Sequence, residues 1–161
     1  MTEKDWLTHA IQLASKSVTE HDGGPFGAIV VKNGVVIGEG FNQVTTDHDP
    51  TAHAEILVLR QAGKIIENYR LPEATLYVTL EPWSHIGKTL PCTDSIISSG
   101  ISNVCIGMKD PNKLVAGKGI KALKDAKISV FVASLTSPVT EQVKKLNNYW
   151  LKRMETGMPY V

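Results

Sequence analysis

His53 and Glu55 stand two residues apart in Thr51-Ala52-His53-Ala54-Glu55, and Cys92 follows Pro91 further along the chain. An imidazole nitrogen and a thiolate are good zinc ligands, and a nearby carboxylate that stays free can carry protons. Zinc makes a strong nucleophile available at neutral pH by lowering the pKa of bound water towards about 7. The set therefore suits hydrolytic attack on an amidine-like ring carbon, with Glu55 relaying the proton from water to the ring nitrogen and leaving amine. Catalytic zinc usually keeps three protein ligands and one open position. His53 and Cys92 make two. The segment between them, Glu81-Pro82-Trp83-Ser84-His85, carries an indole where a third ligand is wanted, and an indole cannot bind a metal.

These residues need elements to hold them. Trp6, Ala10, Leu13, Ala14 and Val18 recur at helical spacing from Lys4 to His21, and His21 to Pro25 breaks that helix. Two β-branched runs, 28–31 and 35–39, flank Lys32-Asn33-Gly34, and Asn-Gly between apolar runs is a strong hairpin signal. A polar loop from Gln43 to Pro50 leads to a helix over 52–62, with Thr51 as its N-cap. Strands are expected over 75–80, 103–107 and 128–133, and helices over 92–99, 120–125 and 138–154. Cys92 then sits at a helix N-terminus, where the dipole favours its thiolate. After the opening hairpin, strands and helices alternate. The expected fold is a three-layer α/β/α sandwich around a mixed five-stranded sheet, as one domain over 1–161.

Composition bounds the partners. Seventeen basic and sixteen acidic residues nearly cancel, which argues against a nucleic-acid binder despite Lys144, Lys145, Lys152 and Arg153 near one another on the last helix. No apolar run approaches the roughly 20 residues of a membrane span. Two cysteines, Cys92 and Cys105, provide no disulfide framework, and a reduced, cytoplasmic setting is expected. Cys105 falls in a predicted core strand and is expected to pack rather than ligate. Gly117-Lys118-Gly119 before a helix either offers backbone amides to an anion or simply marks a turn.

Taken together, the motifs resemble the cytidine-deaminase-like superfamily along nearly the whole chain. Gly23-Gly24-Pro25-Phe26-Gly27-Ala28, Gly40-Phe41-Asn42 and Asp49 to Glu55 are similar to guanine and tRNA adenosine deaminases, as is Asn68 through Pro82. Ser84-His85-Ile86-Gly87-Lys88-Thr89-Leu90-Pro91-Cys92, Asp110-Pro111-Asn112 and Val115 to Ile120 resemble the riboflavin-pathway pyrimidine deaminase. So does Leu151 to Val161, which looks like the stretch leading into that enzyme's reductase domain. In the tRNA and guanine enzymes the second cysteine would fall at Ile86. In the riboflavin-type pattern eight residues separate the pair, which matches Trp83 and Cys92. The resemblance implies zinc held by His53, position 83 and Cys92, with Glu55 as general acid/base. It also implies substrate contacts from Asn42, His85, Lys88, Asp110 and Asn112 to a pyrimidine nucleotide or nucleobase, and a homo-oligomer, most simply a dimer. The riboflavin-type enzymes usually carry asparagine before the proline where this chain has Gly24-Pro25, so Asn42 is the candidate for base recognition.

Three readings of Trp83 stay open: His85 swings in as the third ligand, the indole fills the vacated volume in a zinc-less descendant, or zinc binds weakly through His53, Cys92 and water or Trp83 is a changed residue in an otherwise normal enzyme. They divide the functional expectation between a zinc deaminase of an aminopyrimidine nucleotide and a catalytically inactive deaminase-fold binding protein. A guanine or tRNA adenosine deaminase is a further alternative.

Overall fold

The computed structural model describes residues 2–21, 23–44, 46–84, 91–111 and 116–155. Five strands form one sheet in the order β2-β1-β3-β4-β5: β1 (Gly27–Lys32), β2 (Val35–Phe41), β3 (Ala74–Leu80), β4 (Asn103–Met108) and β5 (Ser129–Val132). β1 runs antiparallel to both neighbours, whereas β3, β4 and β5 are parallel. The hairpin forms where Asn33 and Gly34 take φ of 52° and 73°, the left-handed pair that a two-residue turn requires.

Helices α1 (Glu3–His21), α2 (Ala54–Ile66), α3 (Cys92–Ser98), α4 (Lys118–Asp125) and α5 (Pro138–Glu155) cover both faces. The alternation of side chains along a strand decides which residues each layer meets. Ala28, Val30, Leu76, Val78, Val104 and Ile106 face the layer of α2, α3 and α4. Ile29, Val31, Tyr77 and Cys105 face the layer containing Leu7 and Ile11 of α1 and Val139 and Val143 of α5. The expected three-layer architecture is the observed one. Cys105 is buried among apolar neighbours in β4, as expected, and burial pushes its thiol up to about 12.

Three local expectations are corrected. Thr51 is not the N-cap of α2. That position belongs to His53, whose side chain makes no capping hydrogen bond, while the Thr51 hydroxyl and N–H both donate to the Asp49 carboxylate at 2.7 and 2.9 Å. α2 also runs a turn past Ala62, because Ile66 still packs on the core and Glu67 closes the helix in the left-handed conformation, its N–H reaching Gly63 O. α4 begins at Lys118 rather than residue 120, because its first amides have a partner outside the helix.

The sheet and α2 approach closely at Gly38. A Cβ there would lie 2.5 Å from Val58 O and 3.3 Å from Val58 C, both backbone atoms that cannot step aside. Gly38→Ala should therefore destabilise the protein by about 1–3 kcal/mol through overpacking. The check is a lower urea midpoint with an unchanged m-value; an unaltered midpoint would mean that α2 is not seated against β2 in this way.

Candidate metal and active site

Two helix N-termini bring the chemistry together. α2 starts at Ala54, which puts His53 just outside its first turn and Glu55 within it. α3 starts at Cys92 after Pro91, whose extended backbone prepares the turn. Contacts between α2 and α3 close the gap between segments 39 residues apart, leaving His53 Nδ1 and Cys92 Sγ 3.2 Å apart. Among the described residues, His53, Glu55 and Cys92 form the one cluster of candidate metal-ligating side chains, with ligand atoms all within 4.8 Å of one another. His53 and Glu55 are half-buried and Cys92 is 2% exposed.

The thiol does not follow the expectation drawn from the helix dipole. Burial, the Glu55 charge and a hydrogen bond with Glu55 push the Cys92 thiol far above its ordinary range, and hydrogen bonding from the Trp83 and Cys92 backbones offsets only part of this. Desolvation outweighs the dipole. The Cys92 side chain lies between the His53 imidazole and the Glu55 carboxylate.

Trp83 supports this arrangement with its backbone. Its carbonyl accepts the Thr93 N–H at 3.2 Å, beside Cys92. The residue is 57% exposed. His85, Lys88 and Asn112 lie outside the described residues.

Asn42 is buried at the end of β2. Its Oδ1 accepts the Val44 N–H at 2.9 Å, and its backbone N–H donates to Phe26 O at 3.0 Å. The neighbouring Gln43 N–H donates to Ala52 O at 2.9 Å, tying Asn42 to the segment that carries His53. Asp110 is half-buried just beyond β4.

Glu81 is a site feature that motif reading missed. At 8% exposure its carboxylate accepts four backbone N–H groups. Asp110 and Gly117 donate to Oε1 at 3.1 and 3.0 Å, and Gly119 and Ile120 to Oε2 at 2.9 and 3.2 Å. The amides of Gly117 and Gly119 do bind an anion, as one expectation had it, but the anion is the chain's own. A charged residue ending an otherwise apolar strand was the available signal.

The donors suit zinc as far as they go. Typical bonds of about 2.0–2.1 Å to nitrogen and about 2.3 Å to sulfur close a triangle on the 3.2 Å separation of His53 and Cys92. Position 83 adds no side-chain donor.

Comparison with known proteins places the chain among deaminases. The profile of the cytidine and deoxycytidylate deaminase zinc-binding region matches residues 1–108. Riboflavin biosynthesis protein RibD of Escherichia coli (strain K12) is 38% identical over 162 residues, covering 100% of this chain and 41% of that protein. The diaminohydroxyphosphoribosylamino-pyrimidine deaminase of Buchnera aphidicola is 37% identical over 160 residues, covering 99% of this chain and 100% of that protein. Among solved structures, Acinetobacter baumannii RibD superposes with a TM-score of 0.77 at 37% identity, over 98% of this chain and 41% of that one. A structure from a study of A-to-I editing by tRNA:A34 deaminases gives 0.72 at 29% identity, over 89% and 99%. The chain spans about two fifths of the RibD proteins it matches.

Both of the chain's cysteines are buried, and burial raises both thiols. A thiol reagent at neutral pH should find no fast-reacting cysteine in the folded protein and two after unfolding. One thiol reacting at the rate of a free one would show that Cys92 is activated after all.

Proposed function

The chain belongs to the cytidine and deoxycytidylate deaminase family, and from that premise we propose that it is a zinc-dependent hydrolytic deaminase domain directed at an aminopyrimidine nucleotide, with metal affinity lowered by Trp83. The observation that carries this reading is the convergence of His53, Glu55 and Cys92 within 4.8 Å at the N-termini of two packed helices. His53 and Cys92 would hold the metal. Zinc, when bound, supplies the Lewis acid that activates water for attack.

The remaining roles belong to the chain itself. Glu55, fixed in the first turn of α2, takes a proton from the attacking water and gives it to the ring nitrogen, then carries the proton of the newly formed hydroxyl to the amine as the carbon–nitrogen bond breaks and ammonia leaves. Its half-buried setting keeps the relay out of bulk water. Asn42, tied to the His53 segment, offers an amide to the heterocycle, and Asp110 borders the site from the end of β4. His85, Lys88 and Asn112 belong to the same proposal as substrate contacts, with Lys88 suited to a phosphate. The names of the RibD and Buchnera relatives support a ribosyl-phosphate-bearing aminopyrimidine as the substrate class. A dimer in a cytoplasmic setting, with no nucleic-acid partner, completes the proposal. Among the described residues no helix is long and apolar enough to cross a membrane.

A binding protein without turnover is the second reading, favoured by one observation: the third ligand position carries a largely exposed indole. Metal content separates the two. The chain should purify with well under one zinc per molecule, and Trp83→Cys should raise the content towards one. Near-stoichiometric zinc in the unaltered chain would sink the first claim. An unchanged content in the variant would mean that position 83 is not a ligand position.

Burial and Glu55 raise the Cys92 thiol, so zinc ligation through its sulfur releases a proton. Zinc affinity of Trp83→Cys should thus rise with pH across the neutral range, by up to about tenfold per unit for each proton released. Flat pH dependence would argue against thiolate ligation. The zinc-loaded variant should release ammonia from the diaminohydroxyphosphoribosylaminopyrimidine nucleotide. Adding Glu55→Gln should slow that release by about 10²–10⁴-fold while zinc content stays unchanged. Ammonia released from tRNA adenosine and not from the nucleotide would overturn the substrate assignment.

A further inference from the structure

Glu81 takes no part in the chemistry described so far, yet it is the most heavily engaged polar side chain near the site. A buried carboxylate is costly unless its lone pairs are satisfied. Among the described residues its partners are main-chain amides, at Asp110, Gly117, Gly119 and Ile120. Backbone donors cannot rotate away as a lysine can, so the carboxylate pins all four residues together. The Glu81 N–H also donates to Met108 O at 2.9 Å, locking the residue to the end of β4. A second contact closes the same junction: a Cβ on Gly119 would collide with Pro82 O, so α4 seats directly against the next residue of the chain. The residue after that, Trp83, bonds through its carbonyl to Thr93 beside Cys92. Asp110, the start of α4 and the backbone of the missing-ligand position are thus referenced to one carboxylate.

We propose that Glu81 is a positioning residue, whose carboxylate holds Asp110 and the start of α4 against Pro82 and Trp83 and so sets the affinity for a bound nucleotide without touching it. The inference rests on the aminopyrimidine-nucleotide reading. Glu81→Gln preserves size but turns an NH₂ towards amide donors, so one side of the clamp fails while the apolar core stays intact.

The experiment measures the Kd of the diaminohydroxyphosphoribosylaminopyrimidine nucleotide by calorimetry, together with amide exchange, well below each variant's melting temperature. Glu81→Gln should bind at least about tenfold more weakly and lose protection at Gly117, Gly119 and Ile120 by a similar factor. Glu81→Ala should behave likewise and recover affinity when acetate is added, since a small carboxylate can refill the amide nest. Loss of protection with an unchanged Kd overturns the positioning role. Should both Glu81 variants fail to fold, Gly117→Ala carries the test. It keeps every hydrogen-bonding group, has open space for its Cβ and strains a φ of 86°. It should weaken binding about threefold, and an unchanged Kd overturns the role. An unaltered chain that binds no nucleotide overturns the functional reading and the role of Glu81 together, whereas binding retained by Glu81→Gln overturns the role alone.

Discussion

A carboxylate buried at the end of a strand must be answered by donors, and in this protein the answer organises one end of the sheet. Glu81 follows the last residue of β3, and its oxygens collect amides from the segment after β4 and from the first turn of α4. Parallel pairing of β3 with β4 brings both strands' carboxyl ends to the same edge, which makes these partners available. Helix α4 starts where its orphan N–H groups meet that carboxylate, which explains why it begins two residues before its apolar pattern. Once the carboxylate is seated, Pro82 and Trp83 follow in one direction only, past Gly119 and towards the start of α3.

The same edge receives the N-termini of α2 and α3. Their packing on one face of the sheet brings an imidazole and a thiol to 3.2 Å from opposite ends of a long sequence interval. Proximity of this kind serves a metal well. It serves a free thiolate poorly, because the site is too dry and too close to Glu55 to hold negative charge on sulfur. Burial and the neighbouring Glu55 thus hold the Cys92 thiol above its ordinary range, which disfavours a free nucleophilic thiolate. Trp83 braces this frame with its main chain, its carbonyl accepting the Thr93 N–H, and more than half of the residue is exposed.

This separation of frame from ligand bears on what the chain is. The family profile spans two thirds of it, and relatives named for riboflavin biosynthesis align with nearly all of it. Among the described residues, five strands and five helices bring His53, Glu55 and Cys92 to one place. Two residues depart from the riboflavin-type resemblance: Gly24, before Pro25, and the exposed Trp83.

Much of this was legible in the residues. Apolar runs marked all five strands, Asn33-Gly34 marked the hairpin, and motif spacing singled out His53, Glu55 and Cys92, which the fold brings together. These are local patterns, and local periodicity or short-range chemistry determines them. Other features depended on what lies across space. Thr51 has the type and place of an N-cap, but Asp49 competes for it and wins. Cys92 has the helix position of an activated thiol, but desolvation and Glu55 outweigh the dipole, and burial is a property of the packed layers. Gly117 and Gly119 read as an anion nest open to a ligand, but Glu81, 36 residues away from the nearer of them, occupies it. The direction of the indole at 83 was likewise undecidable from its neighbours. The sequence by itself determined the elements, the family and the candidate chemistry. Only the tertiary structure decided which polar groups satisfy one another, because that depends on distances between segments that the chain order leaves free.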